Sequence, residues 1–559
     1  MEIGNLRLKI ENIIDRIKAD RRLLFAAVLV CNIAYFALMA WALPMQYEEN
    51  DDVMMCMIAN GSYSGTPDAH LVYINVLYGA VLAWLYGLTT AVEWYTLVFV
   101  VLHILSMTVL TYCLLTISNR ARWERLLWLL ALYVLWARII AALQFTTTAG
   151  LVCLAGCVLL MRGTPRSEWV GVAFVVVASL VRFVAAGLVG LLMAPIIIYS
   201  LGIQWRQWRK YIPVVVMLML VVGCRMTNRY VYDRDPEWRY YREYNQLRAQ
   251  LNDNPNAYSV DMRSQLPEGI DIIDYALLLR FIPDPEQIDL KVIRQLSATV
   301  GEVPFRRQLV NLHRLDRYAV EIVLLFALLV LMILTTGNRR KYIFLILYML
   351  FVAALIVHVS LDGFLKNRVF LCILLPILVT YFMLMPDTTG KRRKFALCGA
   401  MLLLGGWYVW QISQVVESKN YVRYQWRRLQ QPILEQYMPN DAYVVTLGTY
   451  MSMEAVNPWR VWDYPFRKYV LGWMTWIPFN TPVASSYRGL LRDDMYIFTT
   501  VEYNRERTAI PRIREQIEKH YGVQTRVRPI CHNGRYALIQ LKVAEQPAAN
   551  KNKNKRRSK

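Results

Sequence analysis

The chain holds 559 residues, 56% of them hydrophobic and 19% charged, with a formal net charge of +22. Soluble proteins carry about 25% charged residues, and here the apolar excess is gathered into long blocks between Leu23 and Ile412. About 20 apolar residues span a bilayer core as a helix, so an ordinary soluble enzyme is excluded. The basic charge then becomes a question of loop placement, not a sign of nucleic-acid binding.

In chain order, residues 1–22 come first. They space Ile3, Leu6, Ile10, Ile13, Ile14 and Ile17 along one helical face among Arg7, Lys9, Arg16, Lys18, Arg21 and Arg22. That pattern predicts a helix lying on the cytoplasmic leaflet. The run Leu23–Met45 is too long for a signal-peptide core and reads as the first span. An external segment, 46–94, follows. It opens on an acidic run and continues as an apolar helix over 53–58. A second helix, 71–88, begins at His70 and is expected to lie in the outer interface.

Short basic segments at 118–125, 162–168, 202–210, 336–341 and 387–394 mark the cytoplasmic side. An even number of crossings must then separate each neighbouring pair. Residues 126–161 therefore divide near Gln144. Residues 168–201 divide near Arg182, since one helix of that length would run about 50 Å. The reading is a mainly α, polytopic membrane protein whose transmembrane module spans 23–412. It has about eleven transmembrane helices, interfacial helices in the first external loop, and a second external loop at 228–317.

Residues 413–545 read as a small external α/β domain. Strands are expected at Ala442–Leu447 and Met495–Val501, and a helix at Ile510–His520 ending at Gly522. A hairpin turns through Asn533-Gly534, a strong turn dipeptide. Residues 546–559 form a basic, disordered tail. Of nine cysteines, seven lie in or beside apolar blocks, and only Cys56 and Cys531 have polar sequence surroundings. No CxxC occurs, so a disulfide framework is not expected.

The candidate chemistry begins with Glu48, Glu49, Asn50, Asp51 and Asp52. Four carboxylates held against a membrane surface favour a bound cation or a captured proton. Paired carboxylates serve as a general base or hold a divalent metal, here Mg or Mn on Asp52. Four cations fall at the external end of the same bundle: Arg138, Arg182, Lys366 and Arg368. An ionisable residue at membrane depth is a functional candidate by default, and arginine's planar fork suits phosphate. His70 is a further candidate for substrate binding. Two aromatic sets, Trp238–Arg248 and Trp459–Trp476, line an acceptor groove or simply pack. No HExxH, zinc spacing, GxSxG, Walker loop or dinucleotide fingerprint is present, so those chemistries lack support.

The stretch Asn50-Asp51-Asp52-Val53, then Gly61-Ser62-Tyr63 and His70, resembles an acidic motif and two interfacial helices of the GT-C glycosyltransferases. The likeness is to the protein O-mannosyltransferase and aminoarabinose-transferase branch. Leu180-Val181-Arg182-Phe183 is similar to that branch's arginine turn, and Lys366-Asn367-Arg368 to its basic external loop. The branch often has His-Pro-Pro where this chain has His70-Leu71-Val72. The resemblance implies a polyprenyl-phosphate-sugar donor and a lipid, glycan or protein acceptor. It implies Asp51 as general base, Asp52 as its orienter or a metal ligand, and Arg182, Lys366 and Arg368 on the departing phosphate. The loop parity places the N-terminus in the cytoplasm and the C-terminal domain outside, and the compact loops with no retention signal point to a bacterial inner membrane. A flippase of lipid-linked glycans, or a polymerase or ligase of diphosphate-linked oligosaccharides, is the alternative.

Overall fold

The computed structural model describes residues 20–117, 121–202, 205–259, 261–335, 338–363, 365–384, 390–447, 451–506 and 508–544. The expected helix over 1–22 and the tail after 545 lie almost wholly outside the described residues. The chain forms two compact units. The first is Met1–Val231, Pro304–Val422 and Glu454–Val461, and the second is Tyr232–Val303, Arg423–Met453 and Trp462–Lys559.

The first unit is helical. It contains α1 (Arg21–Ala42), α2 (Asn50–Ala59), α3 (Val76–Leu88), α4 (Trp94–Ile117), α5 (Arg122–Ala141), α6 (Phe145–Met161) and α7 (Pro165–Leu201). Then follow most of α8 (Ile212–Arg234), α12 (Ala319–Thr335), α13 (Arg339–Leu361), α14 (Asn367–Leu384) and most of α15 (Lys391–Tyr424), while α9 to α11 belong to the second unit. Among the described residues eight helices are long and apolar enough to cross a membrane, with α3 and α6 as shorter apolar helices. Exposed Val30, Leu38, Trp41, Val215, Leu218 and Met226 stud the outer faces of α1 and α8, as a hydrocarbon solvent allows. The protein is a mainly helical, polytopic membrane protein.

Both expected breaks are present. Gln144 accepts from the amides of Thr146 (2.6 Å) and Thr147 (3.3 Å) and so caps α6. Arg182 leaves helical geometry inside α7, at φ −155° and ψ 100°. Gly156 of α6 faces Gly171 of α7 so closely that a Cβ on either would lie under 3 Å from the other's carbonyl oxygen. Small residues at a crossing allow this backbone approach. Two short parallel strands, β1 (Gln46–Tyr47) and β2 (Ala142–Leu143), tie the first external segment to the end of α5.

One expectation changes here. Residues 71–88 do not form one helix: Asn75 caps α3 by accepting from the Leu77 amide (3.0 Å), so His70 lies in the preceding loop. An Asx turn, in which Asp68 accepts from the His70 amide (2.7 Å), holds that loop out of helix. Cys56 is fully buried within α2, and its polar surroundings come from the fold: its thiol donates to Glu93 (2.8 Å). All nine cysteines are free.

The second unit is α/β. It holds α9 (Pro236–Asp253), α10 (Ile272–Leu279), α11 (Leu290–Val300), α16 (Gln431–Tyr437) and α17 (Ala509–Tyr521). Its sheet runs β4-β3-β5-β7-β6. The strands are β3 (Tyr443–Thr446), β4 (Arg467–Val470), β5 (Met495–Thr500), β6 (Thr525–His532) and β7 (Tyr536–Val543). β3 is parallel to both β4 and β5, and the hairpin of β6 and β7 adds antiparallel strands. Gly522 ends α17 at φ +65°, the left-handed cap that glycine adopts without strain.

Residues 232–303, read from sequence as a loop of the membrane module, fold with this unit. Leu277 and Ile282 share a core with Val445, Tyr469, Ile513 and Ile539. The aromatics of α9 are packing residues: Trp238, Tyr241 and Tyr244 are buried, and Trp238 and Tyr244 pack edge-on or tilted against Phe479 and Trp476.

Candidate active site

The acidic run lies where two helices begin. Asp51 and Asp52 occupy the first turn of α2, and the positive end of a helix dipole favours carboxylates there. Glu49 precedes the helix, but its side chain makes no capping bond. It reaches instead to Arg368 at 2.7 Å. Glu48 faces the buried Arg138 at 3.6 Å.

Asp52 is fully buried. Its Oδ1 accepts from the Tyr95 hydroxyl (2.9 Å) and from the Phe145 amide (3.2 Å). The first amides of any helix lack intrahelical partners, so Asp52 answers an orphan donor of α6. Its Oδ2 is buried and has no hydrogen-bond partner among the described residues. Burial pushes the Asp52 carboxyl well above the usual carboxylate range, against the pull of the Tyr95 hydrogen bond.

Asp51 is partly exposed, and its carboxylate makes no hydrogen bond within the described residues. Desolvation raises its pKa, and the Arg368 guanidinium is the largest influence holding it down, with Arg182 and Lys366 also lowering it. Asp51 thus sits inside a field of three cations while keeping its oxygens free.

Arg182 occupies the break in α7. Its Nη1 donates to the Tyr73 carbonyl (3.2 Å), and its guanidinium stacks over the rings of Tyr73 and Phe145 at 5.4 and 5.2 Å. The residue whose amide holds Asp52 therefore also seats Arg182. Beside it lies a polar cavity of about 80 Å³, lined by Tyr73, Asn75, Ser179, Arg182, Arg225 and Asn228 among others. That volume admits several waters. Asn228 accepts from the Val76 amide (2.7 Å), and Asn75 donates to the Cys224 carbonyl (3.0 Å), so α3 and α8 frame the opening. Val72 in the wall has φ +66°, a strained conformation for a β-branched residue that costs on the order of 1–3 kcal/mol and recurs at functional sites.

Of the residues singled out by sequence, Asp51, Asp52, Arg182, Lys366 and Arg368 share one electrostatic neighbourhood. Arg138 stands behind it on Glu48. His70 is held by Asp68, with Nδ1 at 2.8 Å. Sequence reading passed over Arg225, although the rule that picked Arg138 and Arg182, a charge in an apolar run, applies to it equally. It also passed over Tyr95 and the Phe145 amide, which carry no sequence signal of their own.

Among the described residues no three His, Cys, Asp or Glu side chains gather as a metal site. Glu48 and Glu49 answer arginines, and Asp52 Oδ1 answers Tyr95 and Phe145.

No family model matches the chain, and no curated protein does. Two solved structures resemble it, both of ArnT from Cupriavidus metallidurans. One is bound to undecaprenyl phosphate, with 15% identity, TM-score 0.40, and cover of 94% of this chain and 99% of that one. The other is the apo state, with 15% identity, TM-score 0.39, and cover of 94% and 98%.

Proposed function

We propose that the protein is a membrane glycosyltransferase. It takes a sugar from a polyprenyl-phosphate donor and passes it to a hydroxyl of a lipid, glycan or protein acceptor. The reaction runs on the external face of a bacterial inner membrane. The observation that carries this reading is an aspartate with free oxygens, Asp51, set among Arg182, Lys366 and Arg368, of which Arg182 also lines a polar cavity.

Transfer is a single displacement. Asp51 takes the acceptor's hydroxyl proton as that oxygen bonds to the anomeric carbon. The carbon–oxygen bond to phosphate breaks, and the phosphate leaves with the electron pair. Arg182 and Arg225 at the cavity, with Arg368 and Lys366, stabilise the charge that develops on it, the kind of electrostatic help worth most in a water-poor site. Asp52, bound by Tyr95 and the Phe145 amide, fixes the first turn of α2 and so the aim of Asp51. The anomeric configuration inverts, and no covalent sugar–enzyme intermediate forms.

The test uses full-length protein in nanodiscs with a panel of polyprenyl-phosphate sugars, following sugar release by mass spectrometry. Wild type is expected to turn over at least one donor slowly to water, and Asp51→Asn to turn over none while keeping its melting temperature. Tight binding of the carrier without turnover of any donor would overturn the reading in favour of a transporter, and an active Asp51→Asn protein would remove the base.

A further inference from the structure

The segment that delivers the acidic run to α2 is clamped from two sides. On one side is the short ladder of β1 and β2, extended by the Glu48 amide donating to the Leu143 carbonyl at 2.9 Å. On the other is Lys419, 372 residues away in sequence, on the last turns of α15. Its Nζ donates to the main-chain carbonyls of Tyr47 (2.6 Å) and Glu48 (3.3 Å). The Gln46 side chain answers by donating to the Lys419 carbonyl (3.3 Å). Lys419 is only 8% exposed.

A buried ammonium normally finds a carboxylate, and four carboxylates follow Tyr47 within five residues. Lys419 meets two peptide oxygens instead, leaving Glu48 to Arg138 and Glu49 to Arg368. Its two bonds fall on consecutive residues, which fixes the direction of the chain as well as its position. Asp51 lies three residues further on. The ladder continues on its other strand into Gln144, the cap of α6, and Phe145, whose amide holds Asp52. Lys419 and the ladder therefore close a frame around both aspartates.

We infer that Lys419 is a positioning residue: it sets the main chain of Tyr47 and Glu48, and through it the place where α2 presents Asp51. This rests on the reading of Asp51 as the general base. A base displaced by about 1 Å loses on the order of 100-fold in rate, whereas the cations at the cavity, Arg182 and Arg225 on α7 and α8, stay in place.

The experiment is donor turnover by the full-length protein in nanodiscs, for wild type, Lys419→Met, Lys419→Arg, Gln46→Leu and Asp51→Asn, with melting temperatures alongside. Lys419→Met is expected to lower kcat on the order of 100-fold while changing donor KM less than about threefold. Lys419→Arg, which still offers several donors to the two carbonyls, should recover much of the loss. Gln46→Leu, which leaves the cation in place, should show a smaller fall of the same kind and serves alone if Lys419→Met does not fold. A structural brace without positioning would lower melting temperature and leave kcat per folded molecule unchanged, and that result overturns the inference. An inactive Asp51→Asn beside a wild-type kcat in Lys419→Met and Gln46→Leu removes the clamp alone. An active Asp51→Asn, or a silent wild type, removes the base reading and the clamp with it.

Discussion

Two groups of aspartates stand at helix N-termini in this chain, and they are finished differently. In the second unit Asp271 caps α10, accepting from the amides of Ile273 (2.7 Å) and Asp274 (2.8 Å), from Gln516 (3.1 Å) and from Lys519 (2.8 Å). Asp274 accepts from the Asp271 amide (3.2 Å) and meets His520 at 3.0 Å. Each of those carboxylates is spent on holding α10 to α17. Within the described residues of the first unit, the Asp51 carboxylate has no hydrogen bond and the buried Asp52 Oδ2 has no partner. The same residue type at the same kind of position is structural where every lone pair is used and available for chemistry where one is left over.

The largest effects should separate the groups outright. General-base removal costs on the order of 10²–10⁴-fold in rate, so Asp51→Asn should lose transfer with its melting temperature unchanged. Arg368→Gln tests the field around that base. Its loss removes the strongest influence lowering the Asp51 pKa, so that pKa rises further. A base works only when deprotonated, and activity fails as pH falls through its pKa. The acid limb of the pH–rate profile should therefore move to higher pH in Arg368→Gln. If Arg368 served only the departing phosphate, the plateau would drop by about 10²–10³-fold and the limb would stay where it was.

What could be read from sequence follows the same division between local and distant causes. The break at Gln144, the turn at Asn533-Gly534 and the stop at Gly522 each depend on residues within a few positions. The capture of 232–303 by the C-terminal sheet depends on Leu277 and Ile282 meeting Val445 and Ile539, which no window along the chain contains. β4 went unread because Arg467-Lys468-Tyr469-Val470 shows no clear alternation. The acidic motif and its cations were legible because charge beside an apolar block is costly and so conspicuous. Tyr95, the Phe145 amide and Lys419 were not: an aromatic, a peptide group and a lysine in a polar stretch look ordinary until the fold brings them to α2.

The structural group should answer in stability alone. Asp271 has its pKa lowered to about 2 by Lys519 and the helix amides, which outweigh the cost of burial. Its contribution is present above the unfolded value near 4 and fades as pH falls through 2. Asp271→Ala should cost about 1 kcal/mol, the usual worth of an N-cap, because the Lys519 pair is partly exposed and adds little. Urea unfolding at neutral pH reads this directly, and donor turnover per folded molecule should not change.

Asp284, in the same unit, runs the other way and is the subtlest case. It accepts from the Tyr521 hydroxyl (2.9 Å) and from the Tyr487 and Glu286 amides (both 3.2 Å), yet burial outweighs these and raises its pKa to about 6. The folded form thus binds a proton more tightly than the unfolded one. The stability this brings is full below about pH 4 and lost as pH rises through 6. Subtracting the melting curve of Asp284→Asn from that of wild type isolates it. The difference should fall between about pH 4 and 6 and level off above. A difference that instead rises with pH below about 4 would mean that the three donors outweigh burial, and Asp284 would then belong with Asp271 as a carboxylate fully spent on structure.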